Sequence, residues 1–117
     1  MTLHSELPIY KVAYDLLALV VKAVRNMPRD VKQELGRPIV QECVQVTILI
    51  FRAQVARNKA PHLLEIVERI EVANLLLRLS RDLQALPTKH YAEAVRLVAS
   101  IGKQANAWRR ASASPVA

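Results

Sequence analysis

The stretch APHLLEIVERIEVANLLLRLSRDLQAL, Ala60 to Leu86, carries more apolar surface than one core can use. Pro61 suits a first helical turn, where its missing N–H would be unpaired anyway. The stretch has no interior Pro or Gly and is rich in Leu, Glu, Arg and Ala, all good helix formers. The pattern predicts one helix of about seven turns. Its apolar residues form two half-stripes. Leu63, Ile66, Val67 and Ile70 share one face, whereas Val72, Leu76, Leu79, Leu83 and Leu86 lie on nearly the opposite one, and Leu75 and Leu77 widen the overlap. A surface helix of a monomer shows a single apolar face. This one is expected to be covered on both sides, and periodicity alone does not say which half-stripe is core.

The rest of the chain reads as three more helices. The first is expected at Leu7 to Asn26, with Pro8 in its first turn and Ile9, Val12, Ala13, Leu16, Val20, Ala23, Val24 and Met27 facing inward. Lys11, Asp15, Lys22 and Arg25 face outward. PRDVKQELG, Pro28 to Gly36, reads as a polar connection with one helical turn closed by Gly36. The next helix is expected at Arg37 to Asn58, and its centre, Val44 to Phe51, is apolar almost all round. A buried strand is the alternative for that run, but it continues at helical spacing in both directions and has no partner strand. Asn58-Lys59-Ala60 makes a tight turn. Pro87 stops the third helix, Thr88 is a fair N-cap, and the fourth helix runs from there to Arg110. Its inner face is Tyr91, Ala94, Val95, Val98, Ile101, Ala105 and Trp108. Gly102 sits inside it, and such a glycine usually admits a close backbone. The prediction is one all-α domain over residues 1–110, an antiparallel up-down-up-down four-helix bundle, followed by a disordered tail over 111–117.

The 117 residues carry 17 Lys and Arg against 10 Asp and Glu, a formal net charge of +7. A small basic domain attracts polyanions. Bundle topology gathers the cations at the two ends. One end holds Arg25, Arg29, Lys32, Arg37, Arg78, Arg81 and Lys89; the other holds Lys11, Arg57, Lys59, Arg109 and Arg110, and Lys22 adds to the outward charge. Five residues, Tyr10, Tyr14, Phe51, Tyr91 and Trp108, do not make a stacking platform, so binding to RNA or DNA is expected to be electrostatic and of low sequence specificity.

No catalytic set is visible. His4, His62 and His90 lie at a terminus or in first turns, away from the i, i+4 spacing of a helical metal pair. Glu65, Glu68 and Glu71 read as a solvated face pairing with Arg69, and no Glu-x-x-His pair of a di-iron bundle occurs. The lone Cys43 reads as a small buried hydrophobe rather than a nucleophile. No enzyme activity, metal or cofactor is expected. MTLHSELP lacks the basic and apolar regions of a signal peptide, and no apolar run approaches a membrane span. A cytoplasmic protein with no membrane contact is expected.

Taken in order, LPIYKVAYDLL, NMPRDVKQELG, VTILIFRA (Val46–Ala53), LLLRL (Leu75–Leu79), Lys89-His90-Tyr91, Ile101-Gly102-Lys103 and Trp108 resemble a family of small bacterial four-helix bundles. That family comprises proteins encoded in intervening sequences of large-subunit ribosomal RNA genes and the accessory variability determinants of diversity-generating retroelements. The resemblance spans Leu7 to Arg110. It is nearer the retroelement branch, through the Met27-Pro28-Arg29 turn and the basic balance. It implies a homopentameric barrel that binds nucleic acid and the retroelement's reverse transcriptase, without catalysis of its own, during error-prone copying of a template repeat. A structural or protein-interaction bundle of the ribosomal intervening-sequence type is the alternative. Ile48, Phe51, Val72, Leu75, Leu76, Leu79 and Leu83 are the candidate subunit interface.

Overall fold

Three prolines stand in the first turns of three helices, Pro8, Pro38 and Pro61. The structure, a computed structural model, describes residues 7–113. Its elements are α1 (Pro8–Arg25), α2 (Arg29–Val31), a π-helical turn (Lys32–Gly36), α3 (Arg37–Val55), α4 (Ala60–Asp82) and α5 (Thr88–Ala113). No strand occurs among the described residues. Val31, Lys32, Gly36 and Arg37 all keep right-handed helical angles, so α2, the π turn and α3 make one unbroken rod. That rod and α4 pack side by side, α5 packs on α4 and α1, and α1 closes the square against α3. Short connections make neighbours antiparallel, and the result is the expected four-helix bundle.

The core follows helical periodicity. It takes Ile9, Ala13, Leu16, Val20, Ala23 and Val24 from α1, and Ile39, Cys43, Val46, Leu49, Ile50 and Ala53 from α3. From α4 it takes Leu63, Ile66, Ile70, Ala73, Leu77 and Ser80. From α5 it takes Ala94, Leu97, Val98, Ile101 and Ala105. The ambiguity of α4 is thereby resolved. The half-stripe of Leu63, Ile66 and Ile70 is core, and it continues through the small residues Ala73 and Ser80. Ser80 is buried without cost to its hydroxyl, which donates to the Leu76 carbonyl at 2.8 Å.

The connection after α1 differs from expectation. Gly36 does not close a turn. It lies within the rod at φ −62°, and the amide of Arg37 bonds to the carbonyl of Lys32, five residues back. Pro38 explains the departure from α geometry, because it cannot donate to the carbonyl four residues earlier and its ring would crowd that group. A wider turn just ahead of it relieves both problems. Gly36 is required for packing. A Cβ there would stand 2.6 Å from Val24 Cγ1 and 3.3 Å from Met27 Sδ.

Other ends also move. Helix α3 stops at Val55. Helix α4 stops at Asp82 rather than Leu86, with Gln84 left-handed at φ 61°. The Ala85 amide bonds to Ser80 O and the Gln84 amide to Arg81 O, the two bonds of a Schellman cap. Leu86 therefore turns back into the core instead of joining the outer half-stripe. Thr88 is the first residue of α5 rather than its N-cap, and α5 runs on through Ala111 to Ala113, three residues expected to be disordered. Residues 114–117, and His4 with the rest of residues 1–6, lie outside the described residues. Gly102 meets no close backbone: the space its Cβ would enter is open.

Candidate nucleic-acid interface

The α1–α2 and α4–α5 connections share one end of the bundle, and the cations of that end stay available. Arg25, Arg29, Arg37, Arg78 and Lys89 are exposed and Lys32 is half-buried. Among the described residues none of these forms an ion pair. Arg29, Lys32 and Arg37 come together with Gln33 and Met27 around a cleft of about 440 Å³. Arg81 differs from them. Its guanidinium donates to Asp82 Oδ1 at 2.8 and 3.1 Å and lies 4.4 Å from the centroid of the Tyr91 ring. The hydrogen bond to Asp82 raises its pKa further, so it is fully charged but already engaged in tying α4 to α5.

The other end is less free. Lys11 pairs with Asp15 at 3.3 Å. Lys59, a candidate phosphate ligand by sequence, is a helix cap instead. Its ammonium donates to the carbonyls of Ala53, Gln54 and Ala56 at 2.9, 2.9 and 3.0 Å. These are the orphan acceptors at the end of α3, and three bonds use every ammonium proton. Lys59 is thereby removed from the phosphate-binding set. Arg57 and Arg110 are exposed, Arg109 is half-buried, and Lys22 is exposed on the last turn of α1.

Apolar surface is the second feature. Ile48, Phe51, Val72, Leu75, Leu79 and Leu83 are exposed, Leu75 by 65% and Leu83 by 59%. Leu76 alone of the candidate interface residues is half-buried, against the core. Sequence periodicity missed Val55, Leu64, Tyr14 and Val21, which are exposed too. Val55 could have been found by extending the outward stripe of α3 by one turn, and Leu64 by extending that of α4 by about two. Arg69 bonds Glu42 of α3 across the joint at 3.0 Å and Glu65 of its own helix at 3.3 Å. Of the three glutamates of α4, Glu65 thus pairs with Arg69 one turn along its own helix, and the inter-helix pair is made by Glu42 of α3. Among the described residues no cluster of His, Cys, Asp and Glu is placed to hold a metal ion.

The remaining chemistry-bearing residues are structural. Cys43 is fully buried, and burial, reinforced by the charge of Glu42, pushes its thiol up to about 12. His90 is half-buried. It lines a small apolar cavity with Leu77, Leu86 and Ala94, and its buried Nδ1 has no hydrogen-bond partner among the described residues. None of the described helices is long and apolar enough to cross a membrane.

The chain is thus an all-helical antiparallel bundle with one cation-rich end and one apolar flank. A family model described as bAvd-like, Avd being the accessory variability determinant, matches residues 7–112. The chain belongs to that family. No curated protein and no solved structure gave a match.

Proposed function

We propose that this chain is a non-enzymatic accessory protein of a diversity-generating retroelement, which binds RNA and DNA and partners the element's reverse transcriptase during mutagenic copying. Membership of the bAvd-like family supports the retroelement setting. The observation that carries the nucleic-acid reading is the group of six cations, Arg25, Arg29, Lys32, Arg37, Arg78 and Lys89, at one end with no ion-pair partner among the described residues. Phosphate contact needs cations that are not already spent, and these qualify. The exposed leucines of α4 support assembly, with five subunits as the family resemblance implies. In the assembled protein each subunit would present its basic end, which multiplies weak contacts along a strand.

The test is binding of a mixed-sequence RNA and a DNA strand across a salt series, together with capture of a diversity-generating retroelement's reverse transcriptase. Affinity should fall steeply as salt rises, and the polymerase should co-purify. Affinity indifferent to salt would remove the electrostatic basis, and a polymerase that never associates would remove the partnership.

A further inference from the structure

The π turn does more than pass Pro38. At 3.6 residues per turn, Arg29 and Arg37 would be separated by about 80° around an uninterrupted α-helix. A single π turn absorbs one extra residue, which reduces the separation to about 20°. Arg29, Lys32, Gln33 and Arg37 then stand on one ridge. The cleft they line with Met27 confirms the juxtaposition, and the acids of the same segment, Asp30 and Glu34, do not line it. Three cations and an amide around one concavity, with no carboxylate, have no internal use in this fold.

We infer that this cleft is the point where a backbone phosphodiester of a bound nucleic-acid strand docks, and that the π turn is the device that assembles it. The inference rests on the nucleic-acid reading above and gives it a location. Arg29 and Arg37 grip from two sides, since a guanidinium can bond phosphate oxygens in pairs. Lys32, half-buried, supplies a point charge between them, and the Gln33 amide can donate to a phosphate or sugar oxygen. Gly36 holds the arrangement in place, because the rod rests directly on Val24 and Met27 there. Nothing in the cleft reads a base, so it sets position along the strand rather than sequence.

The experiment compares the full-length protein with Arg29→Gln/Lys32→Gln/Arg37→Gln and with a charge-matched control, Arg52→Gln/Arg96→Gln/Lys103→Gln. Each binds a labelled single-stranded RNA of mixed sequence across a salt series, with helicity checked by circular dichroism. The cleft variant should flatten the slope of log affinity against log salt by about two for each subunit the strand engages, from three lost contacts per subunit on a single strand. The control should keep the parent slope. Equal flattening in both variants, or none in the cleft variant, overturns the inference and leaves the nucleic-acid reading standing. A parent protein that shows no salt-dependent binding overturns both. Inorganic phosphate titrated alone should not saturate the protein; tight saturation abolished only in the cleft variant would assign the cleft to a free anion and overturn the inference.

Discussion

Gly36 rests on Val24 with no room between them for a methyl group: a Cβ on Gly36 would lie 2.6 Å from Val24 Cγ1. This contact joins the first rod of the bundle to the second at the π turn. Gly36→Ala should therefore destabilise the protein by about 1–3 kcal/mol through overpacking, despite the ~1 kcal/mol that alanine gains in a helix. Urea unfolding followed by circular dichroism measures it, and an unchanged midpoint would mean that the rod shifts freely on α1.

Gly102 should behave in the opposite way. It is helical, and nothing stands within 4 Å of the position its Cβ would take. Gly102→Ala should stabilise the chain by about 0.5–1 kcal/mol, since alanine leaves less backbone entropy to lose on folding. A higher urea midpoint is the expected result. A loss of stability or of assembly would show that a second molecule closes on α5 at this glycine.

Cys43 sets an alkaline limit. Its thiol ionises near its ordinary 9.0 when the chain is unfolded but only near 12 in the folded core. Its contribution is therefore complete below about pH 9 and lost as pH rises toward 12, because only the unfolded state releases the proton in that window. Between about pH 8 and pH 10 the native state should lose about 1.4 kcal/mol that Cys43→Ala does not lose. Paired urea melts of the two proteins read the difference. A parallel decline in both would place the effect elsewhere.

Assembly is checked on α4. Leu75 and Leu83 are largely in water in the single chain. Leu75→Glu with Leu83→Glu should thus leave the helical content intact, since exposed substitutions usually move stability by only about 0.5 kcal/mol. Light scattering should report an oligomer for the parent and the 13.1 kDa chain for the variant. A parent that is itself a stable monomer would end the assembly reading.

Much of the fold was legible because helical periodicity is local. The inward faces of α1 and α3 follow from residues three and four apart, and Ile9, Ala13, Leu16 and Val20 are buried as their spacing requires. Leu97 was overlooked because it stands at the edge of its stripe, where only the neighbouring helix decides burial. The end of α4 was hidden because Gln84, not glycine, adopts the left-handed angle, and no local residue type marks the stop.

Four amphipathic rods, a surplus of apolar surface and a surplus of positive charge are written into the chain directly. Each is a sum over residues or a repeat along one helix, and needs no partner to be read. How those quantities are distributed is settled by packing in three dimensions. It chose Leu63, Ile66 and Ile70 for the core because Ala73 and Ser80 let the helices meet on that side. It took Lys59 out of the solvent-facing charge by folding it onto the end of α3. It drew Arg29, Lys32 and Arg37 to one cleft through a π turn that relieves Pro38 and seats Gly36 against Val24 and Met27. The physical reason is common to all three: each outcome depends on contacts between residues distant along the chain or on exact placement around a turn, and a local pattern carries neither.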